Sequence, residues 1–247
     1  MDILFLEAPY KGEVLLSEET IAYLKEKGFT KLGLYASVQF CNQLEKVKQQ
    51  LEELKISFTS SQPDRTHVKQ QLLGCDVYHN SLNTQEEVDA YLYIGDGKFH
   101  PLALVYLQKD ATEMKEIICN DPIQESINFL SIDDIKVILK KYKASLMKFL
   151  SADTVGVIIT IKPGQEHLQP SFALEKKYPN KKFYYFIDNT VSFDQLENFN
   201  FINTWVNTTC PRVGFDDQEK FEKGVINLTD ALEVEDVLGK NSLLTTI

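Results

Sequence analysis

Short apolar, β-rich runs alternate along the chain with amphipathic, charged segments. This alternation is typical of helices packed on a parallel sheet, so the sequence predicts an α/β fold. Ser17 is placed to cap the first helix and Gly28 to end it. In the first half, the predicted helices are 17–27 and 43–54, and the predicted strands are 31–37, 56–59 and 90–94.

The second half repeats this plan after a predicted connecting helix at 132–150. Its predicted strands are 155–161, 182–188 and 201–207, with a helix near 171–177. The first of these strands is apolar and β-branched almost throughout, which is typical of a central strand in a parallel sheet. The prediction is two similar small α/β domains, residues 1–128 and 129–247, each a mainly parallel sheet flanked by helices. Ligands are expected beyond the carboxyl ends of the strands.

Composition narrows the class of protein. The chain has 247 residues, of which 43% are hydrophobic, enough for one large core or two modest cores. Its net charge of -10 would repel a phosphate backbone, so nucleic acid is not an expected partner. The sequence has neither a run of about 18 apolar residues nor a secretion signal, so we expect a cytoplasmic protein without membrane contact.

The spacing of the cysteines and the absence of several common motifs exclude further classes of protein. The four cysteines are too far apart for a secreted disulfide framework, so reduced thiols are expected. They are Cys41, Cys75, Cys119 and Cys210. The sequence contains no phosphate loop ending in lysine and no Gly-x-Ser-x-Gly turn, and its four histidines lack a zinc-type spacing. A dehydrogenase is also disfavoured, because the run Gly95-Asp96-Gly97 lacks the third glycine of a dinucleotide loop.

Three segments together resemble the diphthamide synthase family. Leu73-Gly74-Cys75 is similar to that family's Leu-Gly-Cys segment. The run 95–100 resembles its Gly-Asp-Gly-Arg-Phe-His motif, with Lys98 in place of arginine. The run 206–212, with Asp216 and Asp217 beyond it, is similar to its Asn-Thr-Ala-Cys-Pro-Arg segment. Softer matches at 37–39, 120–122 and 160–165 extend the resemblance over nearly the whole chain.

The resemblance implies a function. Members of the family make 2-(3-amino-3-carboxypropyl)histidine on translation elongation factor 2, the first intermediate of diphthamide. Each of three similar domains gives one cysteine to a 4Fe-4S cluster, and S-adenosylmethionine binds the remaining iron and is cleaved to a 3-amino-3-carboxypropyl radical. Cys75 and Cys210 carry over as cluster ligands. Thiolates are the soft ligands that such clusters require. The family is typically dimeric.

Two loops are expected to hold the cofactor. Gly95, Asp96 and Gly97 allow close backbone approach, and His100 offers a hydrogen bond or a proton as the candidate catalytic residue. The alternative for this loop is a tight turn that ends a strand. A second loop is expected at the mouth of the site, with Lys162, Gly164 and Gln165. The family usually continues from this glutamine to an arginine, whereas Glu166 and His167 follow here, which leaves a carboxylate clamp unassigned.

The third cluster ligand stays open, because the chain resembles the family only from its second domain onward. Cys41 or Cys119 could supply the third thiolate, or each could be a small buried apolar residue. A separately encoded chain with the first domain is the other source and would make a split enzyme. A non-catalytic scaffold or electron-relay subunit of the same complex is an alternative function. An unrelated α/β protein that binds small molecules is another.

Overall fold

The structure is a computed structural model that describes residues 8–84, 86–162, 165–217 and 221–247. The chain divides into two compact units. The first contains the residues up to Gln108 and Glu113–Asp134, and the second contains Lys109–Thr112 and Ile135–Ile247. The sequence placed the boundary between 128 and 129, within a strand that pairs with its predecessor in the first unit.

The first unit is built around a five-stranded sheet of order β2-β1-β3-β4-β5. Strands β1 to β4 are parallel, and β5 is antiparallel to β4. Helices cover the sheet, and 3-10 turns lie at His79–Leu82 and Ile132–Asp134. The elements are α1 Glu18–Lys27, β1 Lys31–Ala36, α2 Val38–Cys41, α3 Glu45–Glu53, β2 Ser57–Thr59, β3 Ala90–Ile94, α4 Leu102–Tyr106, β4 Ile117–Asp121 and β5 Ser126–Leu130.

Helix α1 has both of the ends that the sequence predicted. The Ser17 hydroxyl accepts a hydrogen bond from the Thr20 N–H at 3.1 Å. Gly28 lies in the left-handed region at φ 66°, and its N–H donates to the Leu24 carbonyl at 3.3 Å. Left-handed backbone suits glycine because it has no Cβ, so the predicted helix ending is confirmed.

The hairpin of β4 and β5 was not predicted from the sequence. Asn120 in β4 is fully buried, and its side-chain oxygen accepts from the Ser17 N–H and the Thr20 hydroxyl, each at 2.8 Å. Its side-chain nitrogen donates to the Leu15 carbonyl at 2.9 Å. Asn120 therefore ties β4 to the start of α1, a structural role at a position within one of the softer family matches.

The second unit is built around a four-stranded parallel sheet of order β7-β6-β8-β9. As the sequence predicted, β6 lies inside the sheet, between β7 and β8. The elements are α5 Lys136–Ser151, β6 Thr154–Thr160, α6 Leu168–Ser171, α7 Ala173–Lys177, β7 Lys182–Asp188, α8 Phe193–Glu197, β8 Thr204–Asn207, α9 Pro211–Phe215, β9 Val225–Asn227, α10 Leu228–Leu232, α11 Val234–Gly239 and α12 Leu243–Thr246.

One predicted strand starts later than expected. The apolar run suggested a strand from residue 201, but β8 begins at Thr204. The preceding residues instead bond to the start of β6: the Thr154 hydroxyl donates to the Phe201 carbonyl at 2.6 Å, and the Thr154 N–H donates to the Asn203 side-chain oxygen at 3.0 Å. These local bonds replace the first ladder bonds of the predicted strand.

The two sheets share a topology. In each, the first strand of the unit lies between the second and the third, and the fourth follows the third on the far side. The structure therefore confirms the α/β class with mainly parallel sheets. In the part of the chain that the structure describes, no helix is both long enough and apolar enough to cross a bilayer.

Candidate functional site

The loops after β1 and β3 leave neighbouring strands of the first unit's sheet. The chain passes from β1 to β2 on one side and from β3 to β4 on the other, which is the strand arrangement at which open parallel sheets bind ligands. The Ser37 N–H donates to the Ile94 carbonyl at 3.1 Å. The Gln39 side-chain nitrogen donates to the Asp96 carboxylate at 3.0 Å. These bonds fix Asp96 beside the loop that follows β1.

The Cys75 turn lies at the same end of the sheet. The preceding segment reaches the carboxyl end of β1 through a bridge between Ala36 and Gln71. The Leu73 N–H donates to the Asp76 carboxylate at 2.8 Å, and the Asp76 N–H donates to the Leu73 carbonyl at 3.0 Å. Burial raises the pKa of Asp76 to about 6. Cys75 lies in this closed turn and is half-buried.

Gly74 brings two of the predicted segments together. A Cβ atom built on Gly74 would lie 2.4 Å from the Phe99 ring, so the turn and the ring are in direct contact. Phe99 also meets the His100 ring edge to face, with ring centroids 5.5 Å apart. The structure therefore joins the Cys75 turn to the loop that carries Gly95, Asp96, Gly97 and His100.

The two glycines of that loop have different roles. A Cβ on Gly95 would lie 2.8 Å from the Tyr93 ring, so this position has no room for a side chain. Gly97 has open space around it but a φ of 67°, which glycine tolerates best. Asp96 is exposed and His100 is half-buried. The loop is thus a tight turn after β3, and its predicted contact with a cofactor stays a prediction.

In the second unit, Asn207 holds the turn that carries Cys210. Its side-chain oxygen accepts from the Thr209 N–H at 3.1 Å and from the Thr209 hydroxyl at 2.8 Å. Its side-chain nitrogen donates to the Cys210 carbonyl at 2.9 Å. The Thr208 N–H donates to the Ile158 carbonyl of β6 at 3.1 Å. Cys210 itself is half-buried and lies directly before α9.

A buried polar network, which the sequence gave no sign of, lies beneath this turn. It links Asn207 to Asn227, Tyr142, Asp230 and Lys109 through the hydrogen bonds described below. Its members come from distant parts of the chain, with 121 positions between Lys109 and Asp230. No local motif joins such residues, so one sequence without its fold could not reveal them.

Arg212 is the basic residue of the same segment. It is buried, and its Nε donates to the Asp216 carboxylate at 2.6 Å. The first residue of the acidic pair beyond the motif is therefore a partner of Arg212. This bond stabilises α9 across one helical turn.

The loop after β6 is described only in part. Lys162 is exposed, and its N–H donates to the Thr160 hydroxyl at 3.2 Å. The half-buried Gln165 donates its N–H to the Lys162 carbonyl at 3.1 Å. Gly164 lies outside the described residues. The predicted contacts of this loop with a cofactor or protein substrate stay predictions.

The other two cysteines are buried in the first unit. Cys41 is 7% exposed, and its thiol lies 3.3 Å from the Ser37 carbonyl. Cys119 is 6% exposed and lies in β4 beside Tyr93. Burial raises the pKa of each thiol to about 12. Both thiols are therefore less accessible than those of Cys75 and Cys210, and their role as a third ligand stays a prediction.

The donor set for a metal cluster is incomplete. Within residues 8–84, 86–162, 165–217 and 221–247, no three His, Cys, Asp or Glu side chains are grouped so as to hold a metal ion. The half-buried thiols of Cys75 and Cys210 fit an iron-sulfur cluster in chemical type, as soft ligands on turns that follow strands.

Comparison with known proteins decides the family. The family described as "Putative diphthamide synthesis protein" matches residues 2–242. The chain belongs to this diphthamide synthesis family. A member from Pyrococcus horikoshii, named 2-(3-amino-3-carboxypropyl)histidine synthase, is 30% identical over 225 residues, which cover 90% of this chain and 61% of that protein. A member from Encephalitozoon cuniculi, named subunit 1 of such a synthase, is 24% identical over 79% of this chain and 54% of its own length.

A solved member of the diphthamide synthesis family has the same fold. Dph2 from Pyrococcus horikoshii, solved with a 4Fe-4S cluster, matches with a TM-score of 0.70 and 27% identity. The match covers 90% of this chain and 60% of that one. The resemblance found in the sequence is therefore confirmed at the level of the family. The chain spans between about half and three fifths of the length of these relatives.

Proposed function

We propose that this chain acts in diphthamide biosynthesis, in the transfer of a 3-amino-3-carboxypropyl group from S-adenosylmethionine to a histidine of elongation factor 2. The observation that carries the proposal is the contact of Gly74 with Phe99, which joins the Leu-Gly-Cys turn to the Gly-Asp-Gly loop. The match to the family over residues 2–242 supports it. The names of the relatives supply the reaction.

Cys75 and Cys210 are the proposed cluster ligands. Both are half-buried, whereas the other two thiols are buried and have raised pKa values. A 4Fe-4S cluster, when bound, would supply the electron that cleaves S-adenosylmethionine. The third thiolate is proposed to come from a polypeptide segment other than these 247 residues. Two relatives named as subunit 1 of a synthase support a complex.

The loop after β3 is proposed to hold the cofactor. The backbone at Gly97 can approach a ligand closely, because this residue has no side chain and has open space around it. Gly95 is proposed to contribute its backbone from within the turn, where the Tyr93 ring fills the space of a side chain. Asp96, fixed by Gln39, is an acceptor suited to the ammonium group of an amino acid. His100 can donate a hydrogen bond or transfer a proton near neutral pH. Lys162, exposed in the second unit, offers a cation to a carboxylate.

The test is anaerobic cluster reconstitution followed by an assay for methylthioadenosine and modified histidine with elongation factor 2 as substrate. Iron and sulfide are counted per chain for the wild type and for Cys75→Ala and Cys210→Ala. Cys41→Ala and Cys119→Ala are matched controls, because they remove thiols that are already buried. We expect cluster content to fall at least fivefold in the first pair and to stay within a factor of two in the controls.

Two outcomes would change the proposal. A cluster that survives loss of both Cys75 and Cys210 would contradict their role as ligands. A cluster that forms normally but supports no transfer, even with a partner chain that supplies a third cysteine, would favour the scaffold or electron-relay function.

A further inference from the structure

In the buried network beneath the Cys210 turn, each hydrogen bond has a defined donor and a defined acceptor. We propose that Tyr142, Asp230 and Lys109 are positioning residues that set the backbone of the Cys210 turn and so the reactivity of its thiol. The role of that thiol as a cluster ligand rests on the proposed function. The positioning itself is a property of the chain alone and can be measured without a cluster.

Asn227 connects the turn to the network. Its side-chain oxygen accepts from the Asn207 side-chain nitrogen at 2.8 Å, and its own side-chain nitrogen donates to the Pro211 carbonyl at 3.1 Å. A Cβ on Gly214 would lie 2.2 Å from the Asn227 side-chain oxygen, so the amide is tightly enclosed. With one group donating and the other accepting, the amide cannot turn over without losing both bonds.

Tyr142 fixes the backbone of Asn227. The Tyr142 hydroxyl accepts from the Asn227 N–H at 2.9 Å and donates to the Asp230 carboxylate at 2.6 Å. A phenolic hydroxyl has a single hydrogen. Because Asp230 accepts that hydrogen, the hydroxyl oxygen is left to accept from the Asn227 N–H. Tyr142, Asn227 and Asp230 are all at most 3% exposed, so water does not readily replace a lost partner.

Lys109 forms a buried ion pair with Asp230. Its ammonium lies 3.1 Å from the Asp230 carboxylate and 2.5 Å from that of Asp110. Burial opposes the charge of Lys109, but the two carboxylates outweigh it and hold the pKa of Lys109 above its ordinary value. One carboxylate oxygen of Asp230 accepts from Lys109 and the other accepts from the Tyr142 hydroxyl, so Asp230 joins the two side chains.

The network ends on three consecutive residues of the turn. Asn207 binds the Thr209 N–H and the Cys210 carbonyl, and Asn227 binds the Pro211 carbonyl. The backbone on both sides of Cys210 is thus held by buried amides, while the thiol remains half-buried. A network that served only the core would not need to bind every residue of this turn.

The test uses Tyr142→Phe, which keeps the ring and removes the hydroxyl. The matched control is Tyr178→Phe, because the Tyr178 hydroxyl in the same unit donates to the Ala231 carbonyl at 2.7 Å outside this network. The rate of alkylation of Cys210 by iodoacetamide is followed by mass spectrometry in the cluster-free protein. Cys75, in the other unit, is the internal reference for reagent and pH.

We expect Tyr142→Phe to raise the alkylation rate of Cys210 at least threefold relative to Cys75, and Tyr178→Phe to change that ratio less than 1.5-fold. Asp230→Asn keeps an acceptor for Tyr142 but removes one of the two carboxylates that pair with Lys109. It should shift the ratio in the same direction and serves if Tyr142→Phe does not fold. An unchanged ratio in both network variants, at whatever melting temperature, would overturn the proposal.

A second readout separates this proposal from the proposed function. In reconstituted protein, Tyr142→Phe should release iron to a chelator at least fivefold faster than Tyr178→Phe. If the alkylation ratio rises but no variant, nor the wild type, binds a cluster, the positioning role is upheld and the role of Cys210 as a ligand is not. If cluster content depends on Cys210 but neither alkylation nor iron release responds to Tyr142→Phe, the positioning role fails alone.

Discussion

Asp89 controls how two strands of the first unit meet. It is exposed, yet its carboxylate accepts from the Thr30 N–H at 2.7 Å, the Lys31 N–H at 2.9 Å and the Thr30 hydroxyl at 2.9 Å. Its own N–H donates to the Lys31 carbonyl at 2.8 Å. Asp89 directly precedes β3, and Lys31 begins β1. One side chain therefore helps to fix the register of β1 and β3.

These bonds lower the pKa of Asp89, chiefly through the N–H groups of Thr30 and Lys31. A lowered pKa in the folded state means that the stabilisation is complete above the ordinary value of 3.8 and is lost as pH falls through the folded value. Asp89→Asn should therefore lower the free energy of unfolding at pH 7, by at most about 1 kcal/mol because solvent screens an exposed carboxylate. The difference should shrink as pH falls below 3.8, the ordinary value at which the unfolded chain takes up the proton.

Urea titrations at pH 7, 5 and 3 measure this difference. Glu87→Gln is the control, because it makes the same charge change at an exposed neighbouring position. A loss of stability that stays the same at all three pH values would mean that the Asp89 charge contributes nothing.

Single residues also show which parts of the candidate site one sequence can indicate and which parts it cannot. The sequence marked Cys75, Cys210 and the Gly95 loop because they lie in compact motifs that resemble a family. It could not rank Cys41 and Cys119, because burial decides their pKa values and depends on the packed sheet. Nor could it find Tyr142 or Asp230, whose importance comes only from contacts with residues far away in the chain.

At the scale of elements, the sequence predicts a helix well where the residues at its two ends favour starting and ending a helix. Helix α1 has a serine cap and a glycine ending, and both were predicted from the sequence. The β4–β5 hairpin carries no such signal. Its turn at Pro122–Glu125 is held by the Asp121 carboxylate, which accepts from the Ile123 and Gln124 N–H groups at 2.8 and 3.0 Å. Gln124 and Glu125 do not resemble a standard hairpin turn, so the strands on either side were missed.

The ending of α1 makes a prediction about one glycine. Gly28 has open space around it, so only its φ of 66° disfavours a side chain. Gly28→Ala should lower the free energy of unfolding by about 1 kcal/mol, because a Cβ strains left-handed backbone.

Gly239 offers the matched comparison. It also has open space around it and lies at the end of α11, but without a left-handed φ. Gly239→Ala should leave stability unchanged or raise it by up to about 1 kcal/mol, since alanine favours helix and restricts the unfolded chain. Equal effects of the two substitutions in thermal unfolding would show that backbone strain at Gly28 is unimportant.

For the whole molecule, the sequence predicted two α/β units but not how the chain is shared between them. Residues 109–112 lie between segments of the first unit and yet belong to the second. In the second unit, the Leu243 N–H donates to the Ala111 carbonyl at 2.8 Å and the Leu244 N–H to the Lys109 carbonyl at 2.9 Å. Hydrophobic periodicity does not indicate that these four residues belong to the second unit.

Lys109→Met should therefore destabilise the second unit, although residue 109 lies outside that unit's main segment in the sequence. Breaking a buried ion pair from one side leaves an uncompensated carboxylate, so we expect a loss of about 3 kcal/mol. The chain's one tryptophan, Trp205, is fully buried in β8 and reports unfolding of the second unit by fluorescence.

Two further variants test whether the buried ion pair causes this loss of stability. Adding Asp230→Asn to Lys109→Met should restore part of the loss, because the unpaired charge is removed. Lys27→Met, whose partner Glu116 lies at 3.3 Å on the surface of the first unit, should change stability much less, because solvent screens an exposed ion pair. A similar small effect for Lys109→Met would contradict the importance of the buried pair.

The shared segment has a consequence for the order of events on the ribosome. Lys109 is synthesised 121 positions before Asp230, the carboxylate that it meets in the second unit. At elongation rates of about 5–20 residues per second, that delay is roughly 6 to 24 seconds. The first unit contains all its strands once residue 130 has emerged, so it can fold while Lys109 still faces water. The Cys210 turn, by contrast, can be locked only when nearly the entire chain has been made.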